Sequence, residues 1–268
     1  MLLPVTDADD PRIAPYRDVR ERDLVGREGR FIAEGEVVLR HLAASRHRPL
    51  SLLLAEKRVA ALRPVIQALP RDVPVYVAAQ GVMDAVVGFH IHRGILALGE
   101  RGPDLAAGEL LGGLPPRALV VVAVGIGNHD NIGGVFRNAA AFGAGAVLLD
   151  PGCCDPLYRK ALRVSVGAAL VTPWARTAPG EDLVDLLTGQ GFEVVALSPS
   201  GETALAEFRR ADRCALLLGA EGPGLPPELL ARARTVRIPM AAGFDSLNVA
   251  TTSGVVLHHL SCGQGATA

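Results

Sequence analysis

The sequence predicts an α/β protein whose C-terminal part, residues 118–268, is a doubly wound parallel sheet preceded by a small α/β domain. Two observations carry this. Several apolar runs lack polar alternation, as strands covered on both faces require. Stretches with helical apolar spacing separate them, and such alternation implies a sheet flanked by helices.

The chain has 268 residues, enough for one large domain or two modest ones. Hydrophobic residues make up 49% and charged residues 21%, which supplies a core and argues against wholesale disorder. The net charge of −1 does not point to a strongly basic nucleic-acid binder, though local basic patches stay possible. Cys153, Cys154, Cys214 and Cys262 show no CxxC or Cys/His ligand spacing. They read as thiols in a reducing compartment, with no metal site. No apolar run approaches the roughly 20 residues of a membrane span, and the start of the chain lacks a signal-peptide pattern. A soluble cytoplasmic protein without a membrane partner is expected.

The order of residues 1–20 is left open by the sequence; their Asp, Pro and Arg content suggests an arm that is mobile until RNA binds. The first domain covers 21–100. Phe31–Gly35 runs into a helical stretch over 36–42, then strand 50–54, helix 59–69, strand 73–77, a loop or short helix over 86–92, and strand 94–98. Residues 101–117, with several Gly and Pro and few apolar clusters, read as a linker. Strands are expected at 118–124, 146–149, 193–197, 215–218 and 236–239. Helices are expected at 135–142, 157–166, 183–191, 226–233 and 247–260.

Three loop sequences each follow an apolar run: Asn131-Ile132-Gly133-Gly134-Val135-Phe136-Arg137-Asn138-Ala139, Leu218-Gly219-Ala220-Glu221-Gly222-Pro223-Gly224-Leu225, and Ile238-Pro239-Met240 followed by Ser246-Leu247-Asn248-Val249. Loops at the carboxyl ends of parallel strands can converge on one pocket. A dinucleotide fingerprint is absent, because Asp130 stands where its third glycine would be, and no GxxxxGK[ST] phosphate loop occurs. Arg137 falls about one turn into its helix, either as a solvated side chain or as a phosphate or oxyanion ligand. Asn131 is either a helix cap or a positioning residue. The loop around Glu221 is either a helix-entry turn or a ligand-wrapping loop, and Ser246 either a cap or a site residue.

In this order and spacing, the three sequences resemble the signature motifs of the SpoU (TrmH-like) family of SPOUT RNA methyltransferases, over roughly residues 118–262. Lys160–Ala168 resembles the family's linking segment. Phe31-Ile32-Ala33-Glu34-Gly35 and His92-Arg93-Gly94-Ile95-Leu96-Ala97 resemble its small RNA-binding domain. The resemblance implies a SPOUT methyltransferase domain with a C-terminal trefoil knot, working as a homodimer. It implies S-adenosylmethionine as cofactor and a ribose 2′-hydroxyl of rRNA or tRNA as acceptor. By this similarity Arg137 is the central catalytic residue, supported by Asn131, Glu221, Ser246 and Asn248. Leu197, Gly219, Ile238, Met240, Ser246 and Leu247 match cofactor-binding positions. Arg159, Lys160 and Arg163 are RNA-binding candidates beside the site. Arg17, Arg20, Arg22, Arg27 and Arg30 are further candidates, with a solvated mixed-charge face as the alternative. Asn138 and Ala139 depart mildly from the family pattern, and Gly134-Val135-Phe136 replaces the usual Ala and aliphatics. The rival reading is a non-catalytic RNA-binding or ribosome-assembly protein on the same fold. The sequence names neither the RNA nor the nucleotide.

Overall fold

The apolar runs pair into two separate sheets. The structure, a computed structural model, describes residues 2–262 except 18, 20, 244 and 245. It divides into two compact units, 1–103 with 155–171, and 104–154 with 172–268.

In the first unit β1 (Leu2–Val5), β2 (Arg30–Glu34), β3 (Arg48–Ala55), β4 (Val75–Ala78) and β5 (Ile95–Glu100) form a five-stranded sheet ordered β1-β4-β3-β5-β2. β4 runs parallel to β1 and β3, while β5 is antiparallel to β2 and β3. Its helices are α1 (Glu21–Gly26), α2 (Glu36–Ala43), α3 (Val59–Ala68) and α4 (Gln80–Val87). The expected mobile arm is corrected here. Leu2–Val5 is an edge strand, where Pro4 is tolerated, and Ile13 and Tyr16 are buried in the core. Tyr16 Oη bonds Ser51 Oγ at 2.7 Å and accepts the Leu98 N–H at 3.2 Å. The loop expected over 86–92 also differs, since most of the helix lies before it as α4 and ends at left-handed Gly88. Phe31 faces Gly99 across the β2–β5 pair, and a Cβ on Gly99 would stand 2.4 Å from the Phe31 ring.

The second unit starts with α5 (Ala107–Gly112), inside the stretch expected to be a linker. Ala107 and Leu111 are buried in its core, which explains why those residues are helical. There follow β6 (Ala118–Ala123), α6 (His129–Ala141) and β7 (Ala146–Leu149). After the inserted segment 155–171, with α7 (Arg159–Val164) and α8 (Ala168–Val171), come β8 (Trp174–Arg176), α9 (Leu183–Gly189) and β9 (Glu193–Leu197). β10 (Thr203–Ala204), β11 (Arg213–Leu218), α10 (Pro227–Leu230), β12 (Arg234–Arg237) and α11 (Val249–Cys262) complete it. The seven strands are all parallel, in the order β10-β12-β9-β11-β6-β7-β8. Every residue of β6 and β7 is buried, as their unbroken apolar sequence requires. Each fully buried Leu or Val there contributes about 1.5–3 kcal/mol. β8 and β10 were not anticipated, being two or three residues long at the two sheet edges.

Segment 155–171 interrupts the second unit in sequence and packs with the first. Arg101 pairs with Asp155, and Arg159 pairs with the buried Glu34 at 2.9 Å. His41 Nδ1 lies 3.0 Å from the Val166 carbonyl oxygen. Val166 has φ 53°, in the left-handed region that disfavours a β-branched residue. The chain therefore crosses between the units three times, after residues 103, 154 and 171. No helix among the described residues is long and apolar enough to cross a membrane.

Candidate active site

β6 and β11 are neighbours in the sheet, and the chain leaves them in opposite directions. The carboxyl ends of adjacent strands diverge at such a switch point, opening a crevice for ligands. The loops following β6, β9, β11 and β12 hold the residues singled out in the sequence.

The first motif is corrected from loop to helix. Asn128 caps α6, its Oδ1 accepting the Asp130 N–H at 2.8 Å. Asn131 is thus not the cap; it is a helical residue, 3% exposed. Arg137 likewise lies two turns into α6 rather than one, because the helix begins at His129. Gly134 serves close approach: a Cβ there would stand 2.5 Å from the Cβ of Ala250 in α11. Asn138, next to Arg137, donates to the Ala250 carbonyl at 2.7 Å and to Ser253 Oγ at 2.9 Å.

Asn248, not Ser246, caps α11: its Oδ1 accepts the N–H groups of Ala250 at 3.0 Å and Thr251 at 3.2 Å. With that oxygen fixed by backbone donors, its amide nitrogen must point the other way. There Asn248 Nδ2 donates to Asn131 Oδ1 at 2.8 Å and to Glu221 Oε1 at 3.1 Å. The same logic orients Asn131. Its oxygen accepts from Asn248, and its buried Nδ2 has no hydrogen-bond partner among the described residues. Leaving such a donor unmatched costs about 1–3 kcal/mol, so a ligand acceptor would be favoured there.

The loop after β11 closes on itself, with Ala220 bridging Gly224. Each glycine has a backbone reason. Gly222 and Gly224 have φ of 86° and 72°, and a Cβ on Gly219 would stand 2.4 Å from the Gly224 carbonyl carbon. This loop and the neighbouring ones enclose a cavity of about 800 Å³. All six positions matched to cofactor binding (Leu197, Gly219, Ile238, Met240, Ser246 and Leu247) line it, together with Glu221 and Asn248. Ser198, Pro199 and Thr252 also line it, without any signal in the sequence. Asn131 reaches this wall only through Asn248. Arg137 is exposed and does not line the cavity, and it makes no ion pair or hydrogen bond with the described residues.

The basic candidates scatter. Arg159, Lys160 and Arg163 lie on α7, which belongs to the first unit rather than to the unit holding the three motifs. Arg17, Arg27 and Arg30 each pair with a nearby carboxylate, as a mixed-charge face would. Arg22 is exposed, and Arg20 lies outside the described residues. Cys153 and Cys214 are buried free thiols. Burial pushes Cys153 up to about 12, helped by its hydrogen bond with Asp150, and burial does the same for Cys214.

Known proteins share this organisation. An uncharacterized tRNA/rRNA methyltransferase of Mycobacterium tuberculosis (strain ATCC 25618 / H37Rv) is 40% identical over 264 residues, covering 95% of this chain and 90% of that protein. Another, from Synechocystis, is 26% identical over 262 residues, covering 95% and 92%. The crystal structure of an RNA 2′-O ribose methyltransferase superposes with TM-score 0.77 at 26% identity, covering 96% of this chain and 97% of that one. The fold is shared too by an AdoMet-bound rRNA methyltransferase of Sinorhizobium meliloti, with TM-score 0.78, 24% identity, and coverage of 96% and 97%. A family model matches residues 118–258, from β6 into α11. With that match across the motif-bearing sheet and a 40% identical relative along nearly its whole length, the chain belongs to the SpoU rRNA Methylase family of RNA methyltransferases.

Proposed function

We propose that this protein transfers a methyl group from S-adenosylmethionine to a ribose 2′-hydroxyl of rRNA or tRNA. The carrying observation is the amide chain from Glu221 through Asn248 to Asn131, which ties the cavity wall to the first turn of α6. The likeness to an RNA 2′-O ribose methyltransferase at 26% identity supports the ribose acceptor.

The cavity suits the cofactor. Its volume of about 800 Å³ lies within the usual small-molecule range of roughly 300–1,000 Å³. Leu197, Ile238 and Leu247 offer apolar walls for an adenine, and the main chain around Gly219 and Met240 offers donors and acceptors for its edge. When bound, S-adenosylmethionine supplies an activated sulfonium methyl and leaves as a neutral thioether. The chain's own work is to align the acceptor oxygen and to accommodate its charge as the proton departs. Arg137 anchors the adjacent phosphate and stabilises the developing alkoxide. The hydroxyl proton has two routes, a phosphate oxygen or the Arg137 guanidine acting as base. Asn131 lies behind the cavity wall and positions Asn248, whose amide also holds Glu221. Glu221 and Ser246 shape the cavity wall.

RNA is gripped in this reading by α7, where exposed Arg163 has no ion pair among the described residues. A homodimer is supported by exposed Leu247 and Val255 in and beside α11. A knotted C-terminus accords with the family and with α11 returning from β12 to pack on α6. A cytoplasmic location accords with action on rRNA or tRNA.

The test is methyl transfer from labelled S-adenosylmethionine to total RNA, and to ribosomal particles, from a strain lacking the protein. Ribose-methylated nucleosides that disappear with Arg137→Ala are expected. Absence of label in every RNA form, or label on bases only, overturns the proposal.

A further inference from the structure

The seam between α6 and α11 continues past the residues already placed in the site. On α6, Asn131, Gly134 and Asn138 are spaced i, i+3, i+7 and so share one helical face. Their partners follow one another along α11. Asn248 bonds Asn131, Ala250 leaves Gly134 no room for a Cβ, and Asn138 reaches the turn beyond. There Asn138 Nδ2 donates to the Ala250 carbonyl at 2.7 Å and to Ser253 Oγ at 2.9 Å, so both amide hydrogens are used. Ser253 is fully buried, and its hydroxyl donates to the same Ala250 carbonyl at 2.7 Å. The three groups thus close a triangle of hydrogen bonds. Gly254 makes room for it: a Cβ there would stand 3.2 Å from Asn138 Nδ2.

Arg137 stands next to this fastening and has none of its own. It is exposed and makes no ion pair or hydrogen bond with the described residues, so its direction of approach is set by where α6 lies. The first turn of α11 meanwhile lines the cavity through Asn248, Val249 and Thr252. One short stretch, residues 248–253, therefore faces the cavity on one side and holds Asn138 on the other. Hydrogen bonds to fixed oxygens specify one placement of the helix, whereas apolar contact tolerates sliding.

We infer that Asn138 is a positioning residue for Arg137. Its double hold on Ala250 and Ser253 fixes α6 against the cavity-lining turn of α11, and with it the place of the guanidinium relative to the cavity. A shift of about 1 Å at a reacting centre can cost about a hundredfold in rate, so a fastening one residue from Arg137 bears on turnover. The inference rests on the proposed reaction and on the part of Arg137 in it.

The test compares wild type, Asn138→Asp and Asn138→Ala in single-turnover methyl transfer from labelled S-adenosylmethionine. The acceptor is total RNA, or ribosomal particles, from a strain lacking the protein. Asn138→Asp keeps the shape of the side chain but has no hydrogen to donate when ionised. At saturating RNA and cofactor both variants should transfer methyl about tenfold to a hundredfold more slowly. The RNA concentration for half-saturation and the calorimetric affinity for S-adenosylmethionine should stay at their wild-type values. The calorimetric stoichiometry counts folded sites, so lost protein is not read as slower transfer. Gly254→Ala, which crowds the amide, should also slow transfer and add little to Asn138→Ala. A wild-type rate per folded site in Asn138→Asp, an equal loss of cofactor affinity, or full additivity of Gly254→Ala with Asn138→Ala would each overturn the inference. Label from wild type with no Asn138 effect sinks only this inference; no label from wild type in any RNA form sinks the proposed reaction and this inference with it.

Discussion

Gly134 in α6 faces Ala250 in α11 with room for no Cβ on the first: one built there would stand 2.5 Å from that of the second. The crossing sets where Asn248, at the start of α11, meets Asn131 in α6. In an open helix Gly134→Ala would gain about 1 kcal/mol. Here the contact is between backbone-anchored atoms, so overpacking of about 1–3 kcal/mol should win. Urea unfolding should show net destabilisation for Gly134→Ala, with a favourable coupling to Ala250→Gly in a double-variant cycle. A stabilised Gly134→Ala would contradict the packing.

Asn248 does two jobs that one substitution can divide. Asn248→Asp keeps an oxygen for the Ala250 and Thr251 N–H groups but loses the donor to Asn131 and Glu221. Asn248→Ala loses both, at a capping cost of about 1 kcal/mol. Both variants should lose methyl transfer by about a hundredfold or more, the scale of one site hydrogen-bond donor. Only Asn248→Ala should also lose the cap's stability. Wild-type turnover in Asn248→Asp would show that the amide chain does not matter.

Acid should weaken the first unit through His47. Burial, reinforced by Arg46 and Arg101, lowers its pKa to about 4, while its Nδ1 accepts the Gly102 N–H at 3.0 Å. Between pH 6.5 and 4 the unfolded chain binds a proton that the folded one refuses, so stability falls as pH drops through that window. By pH 5 the loss is about 2 kcal/mol relative to pH 8. His47→Gln should flatten this dependence, read as urea midpoints between pH 5 and 8. An equal slope in wild type and variant would rule out His47 as the acid-sensitive group.

Cys153 and Cys214 should resist alkylation. Each thiol is buried and raised to about 12, so at pH 8 only about one molecule in ten thousand carries the reactive thiolate. Iodoacetamide followed by peptide mass analysis should leave both unmodified in the native protein and modified in urea. Native labelling at the rate of a free thiol would contradict their burial.

Much of the fold is legible in sequence because it rests on local apolar density. β7 and β9 match their expected ranges and β6 ends one residue early, since buried parallel strands are apolar throughout. β1 escaped because four residues on an edge with Pro4 resemble an extended arm until β4 pairs with them. The start of α6 was missed because Asn128 and Asn131 are both plausible caps. The choice is settled only by contact with Asn248, 117 residues away. The six cavity-lining matches came through family resemblance, whereas Asn138 and Thr252 depend on how α6 and α11 cross, which spacing does not encode.

The three chain crossings mean that neither unit is an appendage. Removing residues 1–103 would strand 155–171, where α7 would lose β2 and α8 would lose α2, the elements they pack with. A recombination event at a single junction cannot transplant the first unit onto another enzyme intact. It must carry α7 and α8 along, or evolve a substitute surface for them. The two halves are in that sense inherited together.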